Sequence, residues 1–267
     1  MQNSNITLSY IIVTYNRLPY LKDALSKLLA HKKADEEIVV VDGGSTDGTP
    51  EYLQELFERG EVNQFVSGKD KSLGHAINKG ILMAKGELLK TMSDDDVYYY
   101  DEMQKCKNFL LAHPEIDALG TNGTAHDGSD YHREEDFLLW KNTPYHPFMM
   151  CEQGLWLRKS SLAIYGLADT SFTYFWDAEF TVRLTAGRAR IAWYTGKTWE
   201  HVFSPDSISL KRPDLWKAES ARLRRMYPIY STWKHLVPKP IRIVIRFLIP
   251  RKRLVVTEQV TSPTFLF

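Results

Sequence analysis

The sequence predicts an α/β protein whose central, mainly parallel sheet is flanked by helices. In the first 120 residues, short apolar runs rich in β-branched side chains alternate with stretches whose apolar residues recur at helical spacing. Such alternation is typical of βαβ units, and fully apolar strands suit a sheet covered on both faces. The 43% of apolar and 25% of charged residues are ordinary for a soluble globular chain.

The apolar periodicity predicts the elements of this region one by one. Strands are expected over Leu8–Val13, Ile38–Val41, Val62–Val66, Leu88–Met92 and Ile116–Leu119. Helices are expected over Leu18–Ala30, Thr49–Phe57, Leu73–Ala84 and Asp101–Ala112. Residues 121–150 are polar and weakly periodic and predict a loop that can hold one strand. A helix over Ala178–Thr185, a strand over Arg190–Tyr194 and a basic helix over 215–235 follow, while 254–267 carry no clear signal.

Positive charge is concentrated near the C-terminus. Residues 211–253 contain 13 Lys and Arg against two acids, whereas the whole chain has a net charge of +1. The segment 238–253 could lie on an anionic membrane surface, with the apolar side chains of Ile241–Ile249 buried in the interface. Alternatively, it forms a helix packed on the domain with a solvated basic face. We predict no nucleic-acid partner, because no other part of the sequence resembles a nucleic-acid-binding module.

Cysteine usage and apolar run lengths bear on the compartment. Two cysteines without a CxxC pair favour a reducing environment. The N-terminus lacks the basic region of a signal peptide, and the nine residues Ile241–Ile249 are too short to cross a bilayer. The sequence therefore predicts a cytoplasmic protein that is peripheral at most.

Acidic residues lie at three places in the predicted structure where they could bind a ligand or take part in a reaction. Asp42 ends an apolar strand before a Gly-rich turn, where it can accept the imino N–H of a pyrimidine base or belong to an ordinary βα turn. Asp94–Asp96 follow another strand and offer the hard oxygens that Mg²⁺ or Mn²⁺ prefers, unless they form a solvated turn. Asp177 lies at a helix start behind two aromatic residues, where it could serve as a general base, as a helix cap or as both.

These residues together resemble the family 2 glycosyltransferases of GT-A fold. The similarity covers about residues 7–210 and is carried by TYNR (14–17), VDGGSTDGT (41–49), KSLGHAINKGILMAKGELL (71–89), SDDD (93–96), WDAEFTVRL (176–184) and His201. It implies a GT-A domain over 1–210 with a nucleotide-sugar-binding half (1–120) and an acceptor half (121–210), followed by a basic helical C-terminal extension (211–267). It also implies inverting transfer from a nucleoside-diphosphate sugar, assisted by Mn²⁺ or Mg²⁺.

The resemblance assigns roles by position. The residues expected to bind the donor nucleotide and sugar are Thr14, Tyr15, Asn16, Arg17, Asp42, Lys71, His75, Asn78, Ser93 and Asp94. The family's D-x-D-D pattern lies over Ser93–Asp96, so Ser93 replaces the first acid and Asp95 becomes the expected metal ligand, with His201 completing the metal shell. Asp177 matches the catalytic base. Glu152 and Gln153 are further polar candidates for contact with sugar hydroxyls. Trp156 and Tyr174 could stack on a sugar face or could equally be ordinary core or rim residues.

The sequence-based hypothesis is therefore a glycosyltransferase that moves a sugar, from a UDP-sugar donor, to a glycan or lipid-linked acceptor in surface polysaccharide synthesis. A non-catalytic nucleotide-sugar or glycan-binding protein is the alternative, because Ser93 weakens the metal motif. A sugar-phosphate nucleotidyltransferase is a further alternative, but the segment after the first strand lacks the Gly-rich basic loop that a triphosphate requires.

Overall fold

The computed structural model describes residues 6–125, 130–132, 137, 141, 148–173, 175–202, 213–227 and 265–266. In this part of the chain, ten strands form one sheet. The strands are β1 Leu8–Thr14, β2 Glu36–Asp42, β3 Gln64–Ser67, β4 Leu88–Met92, β5 Val97–Tyr98, β6 Ala118–Ala125, β7 Asp130–His132, β8 Trp156–Arg158, β9 Ile191–His201 and β10 Phe265–Leu266. The helices are α1 Leu18–His31, α2 Thr49–Glu58, α3 Leu73–Met83, α4 Tyr100–Ala112, α5 Leu162–Tyr165, α6 Trp176–Ala186 and α7 Pro213–Met226, with 3₁₀ turns at Glu152–Gly154 and Lys159–Ser161.

The first half of the sheet is parallel, as the sequence predicts. Its strands lie in the order β3-β2-β1-β4, and the connecting helices carry the chain back along the sheet. The register places Thr14 opposite Asp42 and Ile12 opposite Met92. The carboxyl ends of β1, β2 and β4 therefore meet at one edge, and the residues that follow these strands are brought together there.

The second half of the sheet is mixed and differs in detail from the sequence prediction. Strand β8 lies antiparallel between β4 and β6, while β6 and β9 are parallel to each other. Both β6 and β9 extend further than their apolar residues indicate. The reason is close packing at glycine: a Cβ at Gly123 would lie 2.0 Å from Cε2 of Trp199, so Gly123 allows the strands to stay paired beyond the apolar run.

The sheet has a hydrophobic core on each face. Along β1, Tyr10 and Ile12 pack with the cluster that includes α1 and α4, and Ile11 packs with the cluster that includes α3 and α6. This two-residue alternation explains why the strand is mostly apolar, because both of its faces are covered by helices.

The predicted basic helix (215–235) is present as α7, but it ends at Met226 and is therefore shorter than predicted. Strand β10 pairs with β9 and lies in the segment 254–267, where no structure was predicted. The segment 238–253 and its apolar run Ile241–Ile249 lie outside the described residues. In the part of the chain that is described, no helix has both the length and the apolar character needed to cross a bilayer.

Gly80 marks the closest approach of α3 to the sheet. A Cβ there would lie 2.3 Å from Cγ2 of Ile11. We expect Gly80→Ala to lower the free energy of unfolding by about 1–3 kcal/mol, because overpacking outweighs the gain of about 1 kcal/mol in helix propensity. Chemical denaturation would measure this change. Gly68→Ala is the matched control, because a Cβ at Gly68 meets nothing within 4 Å, and equal stability of the Gly80 variant and the wild type would contradict the packing argument.

Candidate functional site

Asp42 lies at the end of β2 and is fully buried. The main-chain N–H of Ser45 donates to its carboxylate at 3.1–3.2 Å, and the hydroxyls of Ser45 and Ser67 donate to it as well. These contacts are those of a well-formed βα turn. A nucleotide base could reach this carboxylate only if one of the two hydroxyls moved aside, so its role in base recognition stays a prediction.

The residues after β1 divide between structural and accessible positions. Asn16 has a left-handed backbone (φ 51°) and joins two loops, because its N–H donates to Ser45 Oγ at 2.7 Å and its Oδ1 accepts from the N–H of Thr46 at 2.8 Å. Tyr15 is 59% exposed and covers Gly43. The aromatic face of Tyr15 is thus available to a ligand, whereas the side-chain oxygen of Asn16 is engaged within the protein.

Asp94 and Asp95 both form ion pairs with Arg17, which follows β1. Thr14 Oγ1 donates to Asp94 Oδ2 at 2.9 Å, and Arg17 contacts Asp94 through Nε at 3.0 Å and Asp95 through Nη2 at 2.6 Å. Burial raises the pKa of Asp94 to about 6, an effect that the Arg17 charge partly offsets. The guanidinium therefore favours the ionised form of the buried Asp94.

Asp96 was included in the predicted run of three acids but was assigned no role of its own, yet among the described residues its carboxylate has the most donors in the acidic motif. It is fully buried and accepts from Gln153 Nε2 at 2.8 Å, from His201 Nδ1 at 3.0 Å and from the N–H of Val202 at 2.8 Å. The same amide of Gln153 lies 3.5 Å from Ser93 Oγ. The sequence signal for Asp96 was its place in the run of three acids.

The structure thus brings His201 to the acidic motif, with Asp96 rather than Asp95 as its hydrogen-bond partner. Burial alone would lower the pKa of His201, but the hydrogen bond to Asp96 and the charges of Asp96 and Asp95 raise it above its ordinary value. The orientation of His201 at the end of β9 is therefore stabilised by its hydrogen bond and charge interaction with Asp96.

The acidic motif has suitable donor chemistry for a divalent ion. Carboxylate oxygens of Asp94–Asp96 and the imidazole of His201 are ligand types that Mn²⁺ and Mg²⁺ accept. Among the described residues, however, no three acidic, histidine or cysteine side chains converge as a complete ligand set. The assignment of Asp95 and His201 as metal ligands therefore stays a prediction.

Asp177 lies in the first turn of α6. Its carboxylate accepts from the N–H of Glu152 at 3.1 Å and from its neighbour Ala178 at 2.7 Å. Burial raises the pKa of Asp177 to about 6, although both N–H groups lower it. Burial and the nearby Asp177 also raise the pKa of Glu152 to about 8, so that Glu152 is mainly protonated at neutral pH.

The predicted donor residues of α3 and its preceding loop contact other parts of the chain. His75 Nδ1 lies 3.0 Å from Asp70 Oδ1, and Lys71 is exposed beside it. The side-chain amide of Asn78 is buried and forms two hydrogen bonds with the main chain of Ala168, at 2.9 and 3.0 Å. Asn78 therefore ties α3 to the segment between α5 and α6 instead of facing the acidic motif.

Helix α7 supports the chain segment that leads to Asp177, which sequence analysis did not anticipate. Glu219 accepts from the N–H of Thr173 at 2.7 Å and from that of Phe175 at 2.9 Å. Arg222 lies over the ring of Phe172 at 4.3 Å. The only sequence signal was that Glu219 is one of two acids in a basic segment.

Trp156 is not a sugar-binding surface, because it is fully buried at the start of β8. Its place in the central sheet explains this, since β8 is flanked by β4 and β6. Tyr174, a second aromatic candidate, lies outside the described residues.

Sequence comparisons identify relatives of this chain. The model of the family "Glycosyl transferase family 2" matches residues 9–163, more than half of the chain. An uncharacterized glycosyltransferase of Nostoc sp. is 33% identical over 99 residues, which are 37% of this chain and 31% of that protein. Chondroitin synthase of Escherichia coli is 30% identical over 98 residues, 37% of this chain and 14% of the relative. The chain thus spans less than a third of either relative.

Solved structures resemble the fold. S. aureus TarS 1–349 in complex with UDP-GlcNAc has a TM-score of 0.62 at 19% identity, over 75% of this chain and 60% of that chain. The mannosyltransferase PcManGT from Pyrobaculum calidifontis, in complex with GDP-Man and Mn²⁺, has a TM-score of 0.60 at 19% identity, over 89% and 67%. These likenesses confirm the predicted GT-A-type α/β fold.

Proposed function

This chain belongs to glycosyltransferase family 2, and from that premise we propose that it transfers a sugar with inversion from a nucleoside-diphosphate sugar to an acceptor hydroxyl. One observation carries the proposal. The consecutive residues Glu152 and Gln153 touch Asp177 and Asp96, respectively, through the N–H of Glu152 and the side-chain amide of Gln153. A desolvated carboxylate and the acidic motif therefore flank the same short turn, as a reaction between two substrates requires.

Asp177 is the proposed general base. The acceptor oxygen attacks the anomeric carbon from the face opposite the diphosphate, and its proton passes to the carboxylate of Asp177. The new C–O bond forms as the bond from the anomeric carbon to the diphosphate oxygen breaks, and the electron pair leaves with the diphosphate. A pKa of about 6 keeps Asp177 mainly ionised, and thus able to accept a proton, at neutral pH.

The donor nucleotide is proposed to bind at the carboxyl ends of β1, β2 and β4. Tyr15 offers an exposed ring for stacking, and Asp42, next to the Gly43 that Tyr15 covers, is the residue proposed to recognise the base. Arg17 supplies positive charge beside Asp94, where the ribose and diphosphate would lie. Lys71 and His75 remain candidates for the donor pocket.

Asp95 and His201 are the residues proposed to hold Mn²⁺ or Mg²⁺ together with the donor diphosphate. The bound ion would offset the negative charge that the departing diphosphate gains. The mannosyltransferase of similar fold contains Mn²⁺ beside its GDP-Man, which supports the choice of ion.

We further propose a UDP-sugar as donor and a glycan or lipid-linked acceptor of surface polysaccharide synthesis. TarS, of similar fold, binds UDP-GlcNAc, and a relative in sequence is a chondroitin synthase. Screening a panel of nucleotide sugars for metal-dependent hydrolysis would identify the donor. Binding of a donor without any turnover would favour the alternative, a non-catalytic nucleotide-sugar-binding protein.

Replacing the proposed base tests the mechanism. Asp177→Asn keeps the side-chain volume but removes the proton acceptor, so kcat should fall by a factor of about 10²–10⁴ while donor affinity stays within a few-fold of the wild type. In the wild type, kcat/KM should rise with pH and level off above about 6, because the base must be ionised.

Asp101→Asn is the matched control, since Asp101 is an exposed acid in the first turn of α4. It removes the same interaction with a helix N-terminus and should leave kcat unchanged. An Asp177→Asn variant that retains a tenth of the wild-type transfer rate would show that Asp177 is not the base.

Asp95 and Asp42 should affect donor binding in different ways. Asp95→Ala should abolish the Mn²⁺-dependent part of nucleoside-diphosphate binding, because a ligand of the ion is lost. Asp42→Asn should weaken binding equally with and without Mn²⁺, because it alters a contact to the base. Isothermal titration calorimetry in the two conditions measures both effects, and unchanged metal dependence in Asp95→Ala would contradict its assignment.

The basic segment 238–253 is proposed to contact an anionic membrane surface, on the strength of its charge. Arg251, Lys252 and Arg253 should each contribute about 1 kcal/mol near such a surface. The full chain should sediment with anionic vesicles at low salt, and truncation after Pro238 should abolish this while donor hydrolysis remains. Equal sedimentation of both proteins, or none by the full chain, would contradict the proposal.

A further inference from the structure

A lysine is buried in the centre of the sheet, on a strand whose other residues are mostly apolar. Lys90 of β4 has no exposed surface, and Leu88, Leu89 and Met92 of the same strand belong to the two cores. Among the described residues, its ammonium group forms no ion pair with a carboxylate. A buried charge without such a partner is costly, so its hydrogen bonds must compensate for the lost hydration.

The hydrogen bonds of Lys90 go to main-chain carbonyls, most of them in one short segment. Its Nζ donates to Gln153 O at 2.7 Å and to Thr91 O at 2.9 Å, and it lies 3.4 Å from the carbonyls of Glu152 and Leu155. Three of these four carbonyls belong to the 3₁₀ turn Glu152–Gly154 and the residue that follows it. The ammonium group of Lys90 therefore connects the turn to β4.

The same turn donates hydrogen bonds both to the proposed base, Asp177, and to Asp96 of the acidic motif. The N–H of Glu152 donates to Asp177 Oδ2 at 3.1 Å, and the amide of Gln153 donates to Asp96 Oδ2 at 2.8 Å. Lys90 thus holds the carbonyl side of a turn whose N–H and side-chain donors face the carboxylates.

We propose that Lys90 is a positioning residue that anchors this turn, so that the N–H of Glu152 is held against the carboxylate of Asp177. The inference rests on the proposed function in so far as Asp177 is the base. A hydrogen bond to an ionised carboxylate favours the ionised form. Lys90 therefore acts on the base through the main chain of the turn.

Several charged or titratable groups surround these two side chains. Glu152 and Cys151 on the turn interact electrostatically with both Asp177 and Lys90, and Asp96 after β4 and Cys106 on α4 interact with Lys90. The N–H of Glu152 lowers the pKa of Asp177, against the larger effect of burial. Release of the turn is therefore expected to raise the pKa of Asp177.

The test measures the pKa of Asp177 directly, by carbon-13 NMR titration of the aspartate carboxyl groups in the full chain, with Asp177→Asn to assign the resonance. In Lys90→Met, which removes the donors, the pKa of Asp177 should rise by about one unit. Lys90→Val, which suits a strand, serves the same purpose if the methionine variant does not fold. Lys90→Gln keeps a donor without the charge and should leave the pKa within a few tenths of the wild-type value.

Lys159→Met is the matched control. Lys159 also donates to a main-chain carbonyl, but that carbonyl belongs to Ala84 and not to the turn Glu152–Gly154. The control variant should leave the pKa of Asp177 unchanged. An unchanged pKa in a folded Lys90→Met or Lys90→Val protein would overturn the proposal. An equal rise in Lys90→Gln would also overturn it, because the charge and not the anchored turn would then be responsible.

The activity readout separates this inference from the proposed function. If the chain transfers sugar, the acid limb of kcat/KM should move to higher pH in Lys90→Met together with the NMR value. If no nucleotide sugar is turned over, the proposed function fails, while the NMR titration still decides whether Lys90 positions the turn against Asp177.

Discussion

The removal of several carboxylates from water at one sheet edge is the constraint on which the rest of the site depends. The side chains of Asp94, Asp96 and Asp177 are buried, and a buried carboxylate is stable as an anion only if hydrogen-bond donors or cations reach it. The chain supplies them from separate segments: Arg17 and Thr14 to Asp94, a histidine and two amides to Asp96, and main-chain N–H groups to Asp177. The need to satisfy these anions fixes the segments relative to one another.

Buried ionisable side chains also hold the two backbone segments next to Asp177 in place. Glu219 on α7 uses one carboxylate to hold two main-chain N–H groups before α6, and Lys90 uses one ammonium group to hold the carbonyls of the turn at 152–154. In both cases one buried side chain makes hydrogen bonds to several main-chain groups of a short segment between the longer elements. The proposed base, Asp177, lies between these two supported segments, so its position is determined from both sides.

Sequence patterns predicted the parallel half of the sheet closely, because there each strand and helix is specified by its own residues. Strand β4 was predicted with its observed bounds, and α3 to within one residue. The mixed half was less predictable. Strand β6 continues through polar and glycine residues because β9 pairs with it, and apolar periodicity contains no information about such pairing. The roles of the predicted site residues remain predictions, although the structure brings His201 to the acidic motif and connects that motif with Asp177 through Glu152 and Gln153.

By itself, the sequence determined the order of the elements, the family resemblance and the positions of the acids after their strands. These are local properties that propensity and periodicity express. Only the tertiary structure decided which acid meets which donor. His201 pairs with Asp96 across 105 residues of sequence, and Asn78 binds the main chain of Ala168 across 90. Trp156 looked equally suited to a sugar surface and to the core, and burial between two strands assigned it to the core. Such contacts depend on how the elements pack, and packing is set by all of them together.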